Sequence, residues 1–387
     1  MIYLDNAATS FPKPEEVYRT LDGFARSSAG NPGRAHHALA RAAEDAILEA
    51  RRLTAELLGA SGPQRVVFTL NATDALNMAI KGVLRPGDHA ITTDLEHNSV
   101  SRPLEGLAAR GVITVTRLRS NDAGLVDPAD LRAAAMPRTR LVAVCHASNV
   151  LGTVQDVSSL AAAAHAIGAL LLVDGAQSAG ALTVDVEAEG IDLFAFTGHK
   201  ALLGPMGTGG LVLRQGVEVA AWREGGTGGD SSSPVQPSEL PHRLEGGTPN
   251  AVGLAGFAAG VRWVRERGVG TIADHERAMT ARLVRSIAGS PRVRIVAAPV
   301  EGPGENRIVG RTGLVAFTID GYAPQEVAAI LDQRFGIGVR AGLHCAPYIH
   351  KRWGLFPGGT VRASAGPFTT EADVDAAAGA ILAVAAG

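Results

Sequence analysis

Several polar side chains in this sequence stand where apolar runs stop. The segment Phe194-Ala195-Phe196-Thr197-Gly198-His199-Lys200 is a predicted strand that runs out into a lysine. Open α/β sheets take ligands at the carboxyl ends of their strands, where a lysine can reach an aldehyde. Burial or a neighbouring cation lowers a lysine pKa and makes it a nucleophile. His199 is such a neighbour, and Gly198 is expected to let the backbone come close to a phosphate. Alone, Lys200 reads equally as a solvated strand end. The run Leu171-Leu172-Val173-Asp174 ends in a carboxylate, which is costly at the end of a buried strand without a charged partner. A protonated ring nitrogen is one such partner, and keeping it protonated sustains an electron sink; a helix-capping aspartate is the plainer alternative. Asn71-Ala72-Thr73-Asp74 opens a predicted helix. Helix N-termini hold phosphate, although an Asn cap with no ligand has the same appearance. His97, in Glu96-His97-Asn98-Ser99, reads either as a structural histidine, the commoner case, or as a ring that stacks on an aromatic ligand, and Asn149 is placed to donate to a ring oxygen or a carboxylate. An aldehyde, a ring nitrogen and a phosphate on one molecule describe pyridoxal 5′-phosphate. The lysine and aspartate end consecutive strands with a helix-sized connection between them, which favours one shared site.

The chain has two cysteines, too few for a disulfide framework. Cys145 lies in the apolar run Leu141-Val142-Ala143-Val144-Cys145 and reads as a buried structural thiol. Cys345 lies in Gly342-Leu343-His344-Cys345-Ala346-Pro347, where glycine and proline mark a loop. With His344 and Arg340 near in sequence, an exposed and partly ionised thiol is expected there.

The elements that must position these groups are legible as periodicity. Short apolar runs at Val66–Leu70, His89–Asp94, Ile113–Leu118, Leu141–Ser148, Leu170–Gly175, Leu193–Thr197 and Gly210–Arg214 predict strands. Helical segments at Ala72–Leu84, Pro128–Ala135 and Ser158–Ile167 lie between them, which predicts a mostly parallel sheet of about seven strands. Residues 225–249 are rich in Gly, Ser and Pro and read as a long loop. A helix over Ala251–Ala288, broken near Gly268–Gly270, leads to a separate α+β unit: strand Leu314–Ile319, helix Pro324–Phe335, strands Gly338–Arg340 and Val361–Ser364, and helix Glu371–Ala385 with Thr370 as cap. The expected division is an N-terminal segment, 1–20, that packs with the small domain, a large cofactor-binding domain, 21–255, and a small α+β domain, 256–387. A formal net charge of −2, from 36 basic and 38 acidic residues, gives no electrostatic case for nucleic acid or an anionic membrane. With no membrane span and few cysteines, a cytoplasmic location is expected, and no metal site is expected.

Several motifs in order carry a family resemblance over nearly the whole chain: Tyr3-Leu4-Asp5-Asn6-Ala7-Ala8-Thr9, Val173-Asp174-Gly175-Ala176-Gln177, Thr197-Gly198-His199-Lys200, Glu245-Gly246-Gly247-Thr248-Pro249-Asn250 and Arg340-Ala341-Gly342-Leu343-His344-Cys345. The chain resembles the class-V aminotransferase-like enzymes of pyridoxal-phosphate fold type I, and within them the cysteine desulfurases and selenocysteine lyases. The resemblance implies that Lys200 is the Schiff-base lysine and moves the substrate α-proton. It implies that Asp174 pairs with the ring nitrogen, Gln177 contacts the 3-oxygen and His97 stacks on the ring. Thr73, Thr197 and His199 would bind the phosphate, and Thr248 would reach the phosphate of a second subunit, which implies a homodimer. Asn149 and Arg362 would hold the substrate carboxylate near Arg340, an arginine fork matching a carboxylate bidentately. Cys345 would take the sulfur of L-cysteine as a persulfide, release alanine and pass the sulfur to an acceptor protein, as in iron–sulfur assembly. Two residues depart from the family pattern: Ala72 replaces a hydroxyl residue, and Leu343 replaces the usual His or Gly. A class-V transaminase, a selenocysteine lyase or another β-lyase needs no Cys345, and a non-catalytic partner protein of the same fold needs neither Cys345 nor Lys200.

Overall fold

The computed structural model describes residues 1–33, 37–227, 232–297 and 310–387; part of the 225–249 loop therefore lies outside the described residues. The chain begins with β1 (Ile2–Tyr3), α1 (Glu15–Ser27) and α2 (Ala38–Leu57). An alternating section follows: β2 (Val66–Thr69), α3 (Ala72–Val83), β3 (His89–Thr93), α4 (Asn98–Ala109), β4 (Thr114–Leu118), α5 (Pro128–Ala133), β5 (Thr139–Cys145), α6 (Val157–Ala166), β6 (Leu170–Asp174), β7 (Leu193–Thr197) and β8 (Gly209–Leu213). The remainder is α7 (Ala251–Arg267), α8 (Val269–Ala288), β9 (Val293–Ile295), β10 (Leu314–Ile319), α9 (Pro324–Phe335), β11 (Ile337–Gly338), β12 (Arg340–Gly342), α10 (Pro347–Arg352), β13 (Thr360–Ser364) and α11 (Glu371–Ala386).

All seven expected strands join one sheet in the order β2-β8-β7-β6-β5-β3-β4. Only β8 runs antiparallel to its neighbours, so β2 still points the same way as β7. Successive residues alternate between two cores. Val142, Val144, Leu171, Val173, Phe194 and Phe196 face one side, and Leu141, Ala143, Leu172, Leu193 and Ala195 face the other. That alternation, apolar on both faces, is why the runs read as continuous. A third core joins β10 and β13 to α8, α9 and α11 and includes Leu4. β1 pairs in parallel with β11, so the first residues are built into this second unit. The C-terminal helix starts at the expected cap, Thr370 exchanging hydrogen bonds with Asp373.

Four helices, α1, α2, α4 and α10, and one strand break go beyond the sequence expectations. α2 buries Ile47 and Leu53 among the small residues Ala40, Ala43, Ala50 and Ala55, and Arg51 lies on the same buried face. α1 buries only Val17 among its own residues. α4 contains Pro103 as the sixth of its twelve residues, which argues against a helix in sequence. The single strand expected at Gly338–Arg340 is two, because β11 pairs with β1 while β12 pairs with β13. Helices α1 and α7 run across positions 20/21 and 255/256, so a boundary at either place would cut a helix.

Candidate active site

Because β2, β3, β5, β6 and β7 are co-directional, their carboxyl ends open on one side of the sheet. Asp174 closes β6 and is buried, with Oδ1 accepting from the Ala176 N–H at 3.0 Å. Burial raises its pKa, and Lys200 opposes that shift. Lys200 follows β7, and burial brings its amine down to about 8, against the pull of Asp174 and with the push of Arg362 and Arg340. The lysine, the aspartate and the two arginines therefore lie within mutual electrostatic reach.

The Lys200 turn is clamped by the N-terminal segment. The His199 carbonyl accepts from Ser10 N at 3.0 Å, Thr9 Oγ1 at 3.0 Å and Lys13 Nζ at 2.8 Å. Gly198 also answers to packing within the protein. A Cβ there would overlap Thr208 Oγ1 and come within 2.8 Å of the Phe257 ring, so protein packing already demands the glycine. The Thr197 hydroxyl and His199 Nδ1 are buried without a protein partner. Burial, Lys200 and Lys13 hold the His199 ring down to about 4, so it is neutral at pH 7.

Asn71 caps α3, its Oδ1 accepting from Asp74 N at 3.1 Å. Thr73, in the first turn, bonds Ser99 Oγ at 2.7 Å, and Ser99 Oγ also lies 2.8 Å from His97 Nδ1. Since His97 Nδ1 accepts the Ser99 N–H, the neutral ring carries its proton on Nε2. Burial first, then Lys200 and Arg340, keeps that ring at about 4. The turn beneath it is set by Glu96, whose Oε1 accepts from Thr93 Oγ1 and Cys145 N while burial pushes the carboxyl to about 8. Ser99 was quoted in the motif without a role, and nothing in the sequence told that it joins Thr73 to His97.

Arg362, on β13, is almost wholly buried. It is therefore no surface ion pair. Nη1 donates to the Asn149 carbonyl at 2.9 Å, Nη2 donates to Asp5 Oδ1 at 2.9 Å, and Nε has no partner among the described residues. Asp5 was quoted within the first motif without a role. Asn149 Nδ2 donates to the His344 carbonyl at 2.7 Å, and Gln177 Nε2 to the Ala7 carbonyl at 2.9 Å. Both amides thus hold backbone of the site's rim.

Cys145 is buried and Cys345 exposed. His344 and Cys345 both adopt left-handed backbone, φ +48° and +57°, a conformation that costs non-glycine residues about 1–3 kcal/mol each and needs outside support. Asn149 supplies it at His344, and Asn98 N–H does so at the Cys345 carbonyl, 2.6 Å away. Arg340 Nη2 comes to 4.0 Å from Cys345 Sγ. His344 departs from expectation: its Nε2 turns inward to Thr360 and burial drives its pKa to about 2, so it brings no charge to the thiol. Thr248 is exposed and lines a different cleft with Arg51 and Glu245, so one chain does not bring it to Lys200. Lys200, Asp174, Gln177, Asn149, Arg362, Arg340, His97, Thr73, Thr197, His199 and Cys345 gather on the strand-end side.

Among the described residues no His, Cys, Asp and Glu cluster into a metal-binding group, and no helix is long and apolar enough to cross a membrane. The family model for class-V aminotransferases matches residues 2–377. A probable cysteine desulfurase of Methanothermobacter thermautotrophicus is 37% identical over 379 residues, 96% of this chain and 92% of that protein. A cysteine desulfurase of Dickeya dadantii is 34% identical over 92% of this chain and 85% of its own length. In three dimensions the chain superposes on the cysteine desulfurase CsdA (S-sulfonic acid) from Escherichia coli with a TM-score of 0.87 and 31% identity, covering 99% of this chain and 95% of that one.

Proposed function

The chain belongs to the class-V aminotransferase family and has the pyridoxal-phosphate fold type I, and from that premise we propose that it is a pyridoxal-phosphate-dependent cysteine desulfurase. It converts L-cysteine to L-alanine and carries the sulfur on Cys345. The observation that carries the reading is the link between the exposed thiol and the buried charges: Arg362 binds the Asn149 carbonyl, and Asn149 binds the carbonyl of His344, one residue before Cys345.

The residues fit the cofactor. The unpartnered Thr197 hydroxyl and His199 Nδ1, with the N-terminus of α3 and Thr73, are donors suited to a phosphate. Asp174 suits a ring nitrogen, His97 a ring face and Gln177 a ring oxygen. When bound, pyridoxal phosphate supplies an aldehyde for an amine and an aromatic sink for the electron pair left at Cα. Lys200, with its amine held near 8, takes and returns the proton at the substrate's Cα. Asp174 keeps a negative charge at the ring-nitrogen position. Arg362, with Nε unengaged and Asp5 steadying Nη2, grips the substrate carboxylate. Cys345 Sγ attacks the substrate sulfur: an S–S bond forms, the Cβ–S bond breaks, and Cβ is protonated to give alanine. One cysteine and one thiol become one alanine and one persulfide, with no external oxidant.

Residues 225–249 belong to the same proposal. Glu245 is pinned by a two-pronged ion pair with Arg51, at 2.7 and 2.9 Å, and accepts from Phe68 N. This presents Thr248 outward, toward the cofactor phosphate of a second copy in a homodimer. The division into a large cofactor-binding domain and a small α+β domain, a cytoplasmic location and a sulfur-accepting partner complete the reading.

The test is to mix wild-type and Cys345→Ser protein with L-cysteine and a reductant and to quantify alanine and sulfide. Equal alanine and sulfide from wild type, with almost none from the variant, is the expected result. Equal activity of the two proteins would remove Cys345 from the reaction and move the function to a lyase or transaminase.

A further inference from the structure

The thiol of Cys345 opens onto a cleft of about 390 Å³ between α4 and α10. That volume suits a small molecule. From α4 come Ser101, Arg102 and Glu105, on the face that Asn98 begins, at helical spacing. From α10 come Tyr348 and Lys351.

The charges in this cleft do not cancel. Glu105 is engaged from within, accepting from Arg117 Nη2 at 2.7 Å and Tyr348 Oη at 3.1 Å. The Arg117 guanidinium also lies 3.7 Å over the Tyr348 ring, so this wall is locked. Arg102 and Lys351 are both exposed. Among the described residues neither forms a salt bridge; Lys351 only overlies the rings of Tyr348 and Phe356, at 5.4 and 5.1 Å. The N-terminus of α4 adds its partial positive charge, with the Asn98 N–H on the Cys345 carbonyl. Ser101, 2% exposed, lines the cleft with a hydroxyl that has no partner. Two cations with no salt bridge among the described residues, a helix N-terminus and an unsatisfied hydroxyl lie beside the sulfur atom, an arrangement suited to an anion.

We propose that this cleft binds a small carboxylate-bearing thiol, which collects the sulfur from Cys345. The inference rests on the desulfurase reading. Arg102 and Lys351 take the carboxylate. The ligand's thiolate attacks the terminal sulfur of the Cys345 persulfide: a new S–S bond forms on the ligand, the Sγ–S bond breaks, and Cys345 leaves as thiolate. One persulfide and one thiolate are consumed and one of each is produced, so no redox partner is needed.

Two arms test it on the cofactor-loaded protein. In the first, Cys345 is alkylated with iodoacetate and with iodoacetamide; buried Cys145 stays silent. The Arg102→Glu/Lys351→Glu protein, and the milder Arg102→Gln/Lys351→Gln, should lower the iodoacetate-to-iodoacetamide rate ratio roughly tenfold or more, the scale of electrostatic focusing in a one-signed cleft. In the second, L-cysteine turnover is followed with mercaptosuccinate or uncharged dithiothreitol as acceptor. Turnover with mercaptosuccinate should fall by a similar factor, and turnover with dithiothreitol should hold. An unchanged alkylation ratio, or equal losses with both thiols, overturns the proposal. A wild type that makes no alanine, yet shows the charge-dependent alkylation, refutes the desulfurase reading and supports the anion cleft.

Discussion

Arg362 shows how a single residue reads differently in sequence and in space. Its arginine and its apolar strand were legible, and its expected role as a carboxylate clamp is compatible with the unengaged Nε. Its other contacts, Asp5 from the first motif and the Asn149 carbonyl, come from positions 357 and 213 residues away. Arg362→Lys keeps the charge and loses the planar fork. Losing one charge-assisted bond, about 1.5–3 kcal/mol, should raise KM for cysteine roughly ten- to hundredfold with a much smaller change in kcat. Asp5→Asn should give a smaller rise in KM, since Asp5 orients the fork without touching substrate. Initial rates over a cysteine series check both; an effect on kcat alone would place Arg362 elsewhere in the cycle. Lys13 carries a pH signature. Burial brings its amine to about 8 from the ordinary 10.5. Below pH 8 both folded and unfolded chains hold the proton and the burial cost is fully present. Between pH 8 and 10.5 the unfolded chain binds more protons, so Lys13 makes stability rise with pH. Thermal melts at pH 8 and pH 10 should therefore show wild type gaining relative to Lys13→Met; a constant difference would mean the amine is not held down.

Among the elements, the turn between β7 and Lys200 is held by packing at Gly198 as well as by side chains of the N-terminal segment. The close approach of Thr208 and Phe257 leaves no room for a Cβ at position 198. Gly198→Ala should cost about 1–3 kcal/mol, as overpacking does, and should move Lys200 off the strand axis. A lower denaturation midpoint with weakened binding of pyridoxal phosphate is the expected pair of results, and normal cofactor affinity would show that the turn tolerates the methyl group. Strands and most helices of the second half were legible because their periodicity is strong and their caps are ordinary: Thr370 and Asp373 do in space what the sequence announced. α2 went unread because alanines and the charged Arg51 interrupt the apolar stripe of Ile47 and Leu53, and α4 because Pro103 argues locally for a break that tertiary packing overrides.

At the scale of the molecule, the N- and C-terminal parts are stitched together. β1 pairs with β11, Asp5 with Arg362, and Ser10 and Lys13 with the Lys200 turn. Thr248 stands apart from that centre, on the segment pinned by Arg51 and Glu245. If it serves a second copy, Thr248→Ala should weaken retention of pyridoxal phosphate while light scattering still gives the mass of two chains. A monomeric wild type with full cofactor retention would refute the trans contact.

The sequence showed that about seven strands form a mostly parallel sheet, and it marked Lys200 and Asp174 at strand ends, because apolar periodicity and its interruptions are local signals. It also separated the two cysteines, since a β-strand buries Cys145 and a Gly-Pro loop exposes Cys345. Packing alone fixed that Ser99 joins Thr73 to His97, that Asp5 steadies Arg362, that His344 is a neutral internal strut, and that Arg102 and Lys351 share the cleft of Cys345. Those are contacts between residues far apart in the chain, or choices of side-chain direction, and no local pattern encodes them until packing brings the elements together.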